Sequence, residues 1–185
     1  MEVIKTEIEG PLIFSPKVFG DSRGYFFESY SRRELEAAVG HPIDWVQENE
    51  SMSVRGVMRG LHFQRPPFAQ AKLVRCVRGA VVDVAVDLRA GSPTYGRHIA
   101  VELTESNRRA VYIPRGFAHG FAVVSDEAVF QYKCDNYYAP ESEGGISLSD
   151  DSLGIAWPFS PAEAILSEKD MHHPLLREFI TPFSL

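Results

Sequence analysis

Lys72-Leu-Val-Arg-Cys-Val-Arg78-Gly79-Ala80-Val-Val-Asp-Val-Ala-Val-Asp87-Leu88 decides the fold class of this chain. Two valine-rich runs, each of strand length, are parted by Arg78-Gly79, and the second breaks at Gly91-Ser92-Pro93. Short β-branched runs bounded by glycine and proline read as strands rather than helices. Downstream, Arg97-His-Ile-Ala-Val-Glu-Leu103, Arg109-Ala-Val-Tyr-Ile113, Gly120-Phe-Ala-Val-Val124 and Ala128-Val-Phe-Gln-Tyr-Lys133 follow at fairly even spacing. Upstream, the strand-like character reaches back to residue 44, and residues 1–18 read as two short strands split by Gly10-Pro11. Many short strands with regular turn signals predict an all-β sandwich or barrel.

Helices are few. Ser31-Arg32-Arg33-Glu34 reads as a capping box opening a helix that runs through Leu35 and Ala37-Ala38-Val39 and stops at Gly40. Gly20-Asp21-Ser22-Arg23-Gly24 reads as a polar turn, and Tyr25-Phe-Phe-Glu-Ser-Tyr30 as an aromatic strand. Beyond residue 160 the pattern weakens, and Ser160–Leu166 and Ser167–Met171 read as short helical turns. There is no repeat, low-complexity segment or linker, so residues 1–185 are expected to form a single domain.

The 185 residues are 44% hydrophobic and carry a net charge of −6. That composition excludes a disordered chain. Without a Lys/Arg block, nucleic acid is not the expected partner, although local basic residues can still bind a small anion. No apolar run approaches the about 20 residues that span a bilayer, so no membrane partner is expected. Met1-Glu-Val-Ile-Lys-Thr-Glu-Ile8 alternates apolar and charged residues and lacks the features of a signal peptide, so a cytoplasmic location is expected. Cys76 and Cys134 have no metal-ligand spacing and read as buried thiols of a reducing compartment.

The chemistry centres on Arg59-Gly-Leu-His62-Phe-Gln64. An imidazole there is a base, a metal ligand or a satisfied core residue. Jelly-roll barrels of the cupin type often hold a metal with a His-x-His pair, a downstream Glu and a later His. Pro114-Arg-Gly-Phe-Ala-His119 is similar to the second half of that pattern, but Gln64 stands where the second histidine would be. Two histidines and an amide make a poor site for zinc or iron, so no metal is expected. The acid–base reading uses strand alternation. His62 shares a face with Gln64, Lys72 with Val74 and Cys76, and Tyr132 with Phe130 and Cys134. His, Lys and Tyr at one barrel mouth would supply base, electrophile and acid. The plainer alternatives are a packed strand histidine, a solvated edge lysine and an ordinary sheet aromatic. His172 and His173 read as surface residues without a ligand partner.

Several linked segments carry a family resemblance. They are Arg59-Gly-Leu-His-Phe-Gln64, Lys72-Leu-Val-Arg75, Asp83-Val-Ala-Val-Asp-Leu-Arg89, Ser92-Pro-Thr-Tyr-Gly96, Pro114-Arg-Gly-Phe-Ala-His-Gly-Phe121 and Tyr132-Lys-Cys-Asp-Asn-Tyr-Tyr138. In this order, and from Ile13 to about Asp170, the chain resembles the dTDP-4-dehydrorhamnose 3,5-epimerase family. The resemblance implies a cupin-like double-stranded β-helix, a jelly roll with a few short helices. It implies a dTDP-linked 4-keto-6-deoxy sugar as substrate and proton transfer at C3 and C5 beside the C4 ketone. It implies no cofactor, since that ketone is the electron sink. Carried over, His62 is the base, Tyr132 the acid, Lys72 the enolate stabiliser and Asp170 the residue that orients His62. The competing local reading of Ser167-x-x-Asp170 is a capping box. Arg23, Glu28, Gln47, Asn49, Arg59, His119, Glu143 and Lys169 fall at ligand positions, with Arg59 and His119 toward diphosphate and sugar. Asn49 is followed by Glu50, where the family usually has histidine. The resemblance further implies a homodimer whose N-terminal residues lie near the partner's site. The alternatives are an epimerase acting at one centre only, a metal-dependent cupin enzyme and a non-catalytic sugar-nucleotide binding module. Strict alternation puts Arg59 and His62 on opposite faces, so if both meet the substrate a bulge is expected near Gly60.

Overall fold

The computed structural model describes residues 1–185. Its strands are β1 Glu2–Lys5, β2 Leu12–Ser15, β3 Phe19–Asp21, β4 Gly24–Phe26, β5 Gln47–Val54, β6 Met58–Gln64, β7 Lys72–Arg78, β8 Ala80–Asp87, β9 Arg89–Ala90, β10 His98–Thr104, β11 Ala110–Ile113, β12 Phe117–Val123, β13 Glu127–Cys134, β14 Glu143–Gly145 and β15 Phe183–Ser184. The one α-helix, α1, is Arg32–Val39. Two sheets carry the fold: a six-stranded sheet in the order β1-β2-β11-β7-β13-β5 and a five-stranded sheet in the order β10-β8-β12-β6-β14. They face each other as a jelly roll. No helix is long and apolar enough to cross a membrane.

Alternation along each strand builds the layers. Val81 and Ala85 of β8, Phe121 and Val123 of β12, and Val74, Val111 and Phe130 of the facing sheet fill the interior. The other face of β8 is also buried. Val84 and Val86 pack with Met58, Leu61 and Phe63 of β6 against Ile146, Leu148, Leu153 and Phe183 of the C-terminal segment. Burial on both faces is why residues 80–88 read as an almost unbroken apolar run. The outer face of the six-stranded sheet is covered by α1 through Leu35, with Phe14, Leu73 and Tyr112 beneath it. At the end of β8, buried Asp87 accepts hydrogen bonds from Ser92 Oγ at 2.6 Å, Thr94 Oγ1 at 2.7 Å and Arg89 Nη2 at 2.8 Å, which pins the following turn.

Local expectations meet three corrections. The helix and its left-handed Gly40 stop (φ 84°) stand where expected, but Ser31 makes no side-chain cap. Glu34 turns instead to the N-terminal ammonium, at 3.4 Å. The aromatic strand is limited to Gly24–Phe26, paired with Phe19–Asp21. Beyond it Phe27 leaves the ladder, and the Arg108 guanidinium stacks on both Tyr25, at 3.8 Å, and Phe27, at 5.5 Å. Third, β12 begins at Phe117 rather than Gly120, since Phe117 to Val123 pair continuously with β8.

The bulge near Gly60 is present. His119 faces His62 across the β12–β6 pair, yet Phe121 faces Arg59, so Gly120 alone opposes Gly60 and Leu61. The extra residue reverses the alternation of β6. Met58, Leu61 and Phe63 all point to the outer cluster, which leaves Arg59 and His62 on the same inner side. The crossing needs glycine: Gly60 has φ +128°, and a Cβ there would lie 2.5 Å from Gly120 Cα. Gly60→Ala is therefore expected to cost about 2–4 kcal/mol from backbone clash and a disfavoured φ. Urea denaturation checks this as a lowered midpoint at unchanged slope.

Candidate active site

His62, from β6 in the five-stranded sheet, faces Lys72 of β7 and Tyr132 of β13 in the six-stranded sheet. Between them lies a cavity of about 100 Å³, also lined by Gln47, Asn49, Phe63, Gln64, Gln70, Tyr138 and Glu143. The three reactive side chains thus approach one space from two opposed walls.

Asp170 reaches the site from a single 3-10 turn, Asp170–His172. Its carboxylate is 2% exposed and lies 2.5 Å from His62 Nε2 through Oδ1. The local cap and this contact coexist, because Ser167 Oγ accepts from the Asp170 backbone N–H at 3.2 Å and leaves the carboxylate free. Burial pushes the Asp170 carboxyl up, but the imidazoles of His173 and His62 outweigh it and hold the group well below the usual carboxylate range. An ionised Asp170 fixes the tautomer of His62: Nε2 carries the proton and donates it, and the lone pair is left on Nδ1. No protein group bonds Nδ1, and it is not sealed from the cavity. Burial pushes His62 below its ordinary value, Lys72 and Lys169 add to this, and Asp170 opposes it. The imidazole is therefore neutral and basic at pH 7.

Lys72 Nζ has no hydrogen-bond partner in the protein and sits 5.7 Å from the Tyr132 ring centroid. Burial lowers its proton affinity, with Cys134, Asp83 and Glu143 opposing. Burial raises the Tyr132 phenol, aided by Cys134 and countered by Arg59, so Tyr132 is protonated at neutral pH. A neutral base on one wall and a protonated phenol and an unpaired ammonium on the other suit carbon-acid chemistry.

The rim brings several expected ligand residues together. Glu143 pairs with Lys169 and accepts the Tyr138 hydroxyl at 2.8 Å. Gln47 Nε2 donates to Asn49 Oδ1 at 2.9 Å, and its Oε1 accepts the Tyr138 backbone N–H at 2.9 Å. Arg59 is exposed and tethered to Ser53 Oγ at 3.1 Å. Other expected residues are not brought to the cavity. Arg23 lies on the β3–β4 hairpin, 88% exposed and paired with Asp21 at 2.6 Å, and Glu28 follows it on the surface. His119 is not at the rim either. It is buried beside His62 and bonded through Nε2 to Asp83 Oδ2 at 2.7 Å, an unsuitable place for grasping a diphosphate.

Gln64 is a staple: its amide donates to the carbonyls of Phe68 (2.7 Å) and Tyr137 (3.1 Å) and accepts from the Ala139 N–H (2.8 Å). That use of both amide ends removes it as a metal ligand. The donors that could hold a metal are His62, Asp170 and His173, within 4.8 Å of one another.

Sequence reasoning missed Asp83, Tyr138 and His173. Asp83 left a signal, a carboxylate at an inward position of an otherwise apolar strand. Tyr138 lay within a quoted motif. His173 is a correction: it is a tenth exposed and packs on His62, whereas His172 is at the surface.

A family model described as dTDP-4-dehydrorhamnose 3,5-epimerase matches residues 5–178. The dTDP-4-dehydrorhamnose 3,5-epimerase of Shigella flexneri is 54% identical over 172 residues, covering 93% of this chain and 94% of that protein. The crystal structure of dTDP-4-dehydrorhamnose 3,5-epimerase from Elizabethkingia anophelis NUHP1 superposes with a TM-score of 0.91 at 48% identity, covering 96% of this chain and 97% of that one. The dTDP-6-deoxy-D-glucose-3,5-epimerase of Legionella pneumophila Philadelphia 1, solved in complex with dTDP-4-keto-L-rhamnose, gives a TM-score of 0.91 at 46% identity, covering 95% and 93%.

Proposed function

The chain belongs to the dTDP-4-dehydrorhamnose 3,5-epimerase family, and on that premise we propose that it converts dTDP-4-dehydro-6-deoxy-D-glucose to dTDP-4-dehydro-L-rhamnose. The observation that carries the reading is the His62–Asp170 pair at 2.5 Å, facing Lys72 and Tyr132 across the barrel.

The C4 ketone acidifies the C–H bonds at C3 and C5. His62 Nδ1 takes one of these protons, and the C–H electron pair moves through the new C=C bond onto the ketone oxygen. Asp170 stabilises the imidazolium that results, as the third member of a nucleophile–base–orienter set does. The Lys72 ammonium donates to the enolate oxygen, an interaction far stronger for the anion than for the ketone. Tyr132 then gives its phenolic proton to the opposite face of the same carbon, the C=C bond closes and the ketone reforms. Solvent returns a proton to the phenolate and removes one from His62. The cycle runs at each centre with no change of oxidation state, so no redox cofactor is called for.

Arg59 suits the diphosphate because its planar fork matches phosphate oxygens. Gln47, Asn49, Glu143 and Lys169 line the approach to the sugar, and His119 with Asp83 braces the wall behind His62. Residues 1–185 act as a single domain, in the cytoplasm, as a homodimer. The support for the dimer is the β3–β4 hairpin, exposed at every residue and carrying Phe26 at 71% exposure. The edge strand β5 adds exposed Met52 and Val54. Arg23 and Glu28 reach a nucleotide in the neighbouring subunit's site.

Incubation with the substrate in D₂O, followed by NMR of the sugar protons, tests the reading. Deuterium is expected at both C3 and C5. Incorporation at C3 alone would make the enzyme a single-centre epimerase, and none at either would end the proposal.

A further inference from the structure

Behind the base lies a second imidazole with an unmet bonding need. The His173 side chain is nine-tenths buried, and its Nε2 is sealed from solvent without a hydrogen-bond partner. A buried N–H left unpaired costs about 1–3 kcal/mol. An acceptor, Asp170 Oδ1, stands 3.6 Å away, the same oxygen that His62 Nε2 meets at 2.5 Å. The His173 ring also stands edge-on to His62, with centroids 5.5 Å apart at 74°. The fold leaves room for this. Gly145 pairs with His62 across β14–β6, and a Cβ at Gly145 would come within 2.5 Å of His173 Nε2.

We propose that His173 is a positioning residue for the base: its Nε2–H closes onto Asp170 Oδ1, so that one carboxylate is clamped between two imidazoles. The inference rests on His62 being the base and deepens that reading. A third group that orients a base raises its rate by holding tautomer and direction. The clamp also tunes the base. Each donor on a carboxylate stabilises its charge, so Asp170 pulls less on an imidazolium at His62, and His62 stays neutral to lower pH. The charged groups facing this cluster are Asp170 and Lys169 from the turn, Glu143 from β14 and Lys72 from β7. Lys169 and Glu143 neutralise each other as a pair. A donor at position 173 is thus the adjustable contact on Asp170.

His173→Phe keeps the ring packing against Gly145 and His62 and removes the nitrogen. It is expected to lower kcat about tenfold, leave KM within about twofold, and move the acidic limb of kcat/KM upward by about half a pH unit. His173→Gln puts an N–H back at the Nε2 position and is expected to restore the limb and most of kcat. A Phe variant with kcat within twofold and an unmoved limb would reduce His173 to packing. Should the variants fold poorly, ¹⁵N NMR of the wild-type imidazoles decides: an Nε2–H tautomer with a hydrogen-bonded proton shift supports the clamp, and an Nδ1–H tautomer overturns it. Wild-type protein that exchanges no substrate proton in D₂O would defeat the function itself, a result separate from any of these.

Discussion

His62→Ala is expected to abolish deuterium incorporation at both C3 and C5 and to lower kcat by about 10³-fold or more. General bases contribute roughly 10²–10⁴, and here no other group can substitute. The neighbouring imidazoles are committed elsewhere, His119 to Asp83 at 2.7 Å and His173 behind Asp170. Both centres fail together because one base serves both in the proposed mechanism. If C3 exchange survives at near the wild-type rate, His62 is not the base for that centre. The wild-type pH profile carries the same assignment. The working form of His62 is neutral, and burial holds its proton affinity below the ordinary value of 6.5. On the acidic side the rate should therefore hold level down to pH 7 and fall as the pH drops below 6.5 and His62 takes a proton before meeting the substrate. On the basic side it should fall where the buried Lys72 ammonium, its proton affinity lowered, gives up its proton. A profile still falling between pH 7.5 and 6.5 would contradict that ordering. Circular dichroism of the variant guards against a trivial loss, because Asp170, 2% exposed, loses its closest partner, and stranding a buried charge costs about 3–5 kcal/mol.

How far the sequence alone discloses this site depends on whether a local rule governs each residue. Lys72 with Val74 and Cys76, and Tyr132 with Phe130 and Cys134, obey simple alternation, and the facing of Lys72 and Tyr132 into the cavity follows from it. The strands of residues 72–134 are legible because valine, isoleucine and glycine breaks dominate them. Arg59 and His62 defeat alternation. Their common face depends on a bulge whose existence is set by Gly60 and Gly120 meeting across two strands, a contact of residues far apart in the chain. The return arm of the expected capping box is absent because the Glu34 carboxylate pairs with the N-terminal ammonium, again a tertiary contact. His173 is illegible for the same reason. Its neighbours Met171, His172 and Pro174 are exposed, and only the missing Cβ of Gly145 lets the ring enter. What propensity and periodicity convey is the scaffold and the walls of the barrel. What they omit is the second layer of contacts that aims the side chains.

Lys72→Met carries the other large effect, and it separates catalysis from stability. The Lys72 ammonium has no protein partner and is partly withdrawn from water, and burial already weakens its hold on a proton. In the resting protein that is a cost. A methionine of similar length removes it, so the variant is expected to be more stable by about 1 kcal/mol, as substitutions that relax a strained functional site commonly are. In the proposed reaction the same charge meets the enolate oxygen. Loss of a preorganised donor to an oxyanion lowers kcat by about 10²–10³. The two half-reactions share the C4 oxygen, so exchange at C3 and C5 should slow by the same factor. Tyr132→Phe differs in kind, since it removes the proton donor from one face while leaving the enolate stabilised, and proton abstraction should partly survive. KM should change little in the Lys72→Met variant, because a ketone gains far less than an enolate from an ammonium. Denaturation and D₂O exchange on one preparation give both answers. A variant that is less stable than the wild type, or that keeps kcat within tenfold, would show that Lys72 is held for the fold and not for the enolate.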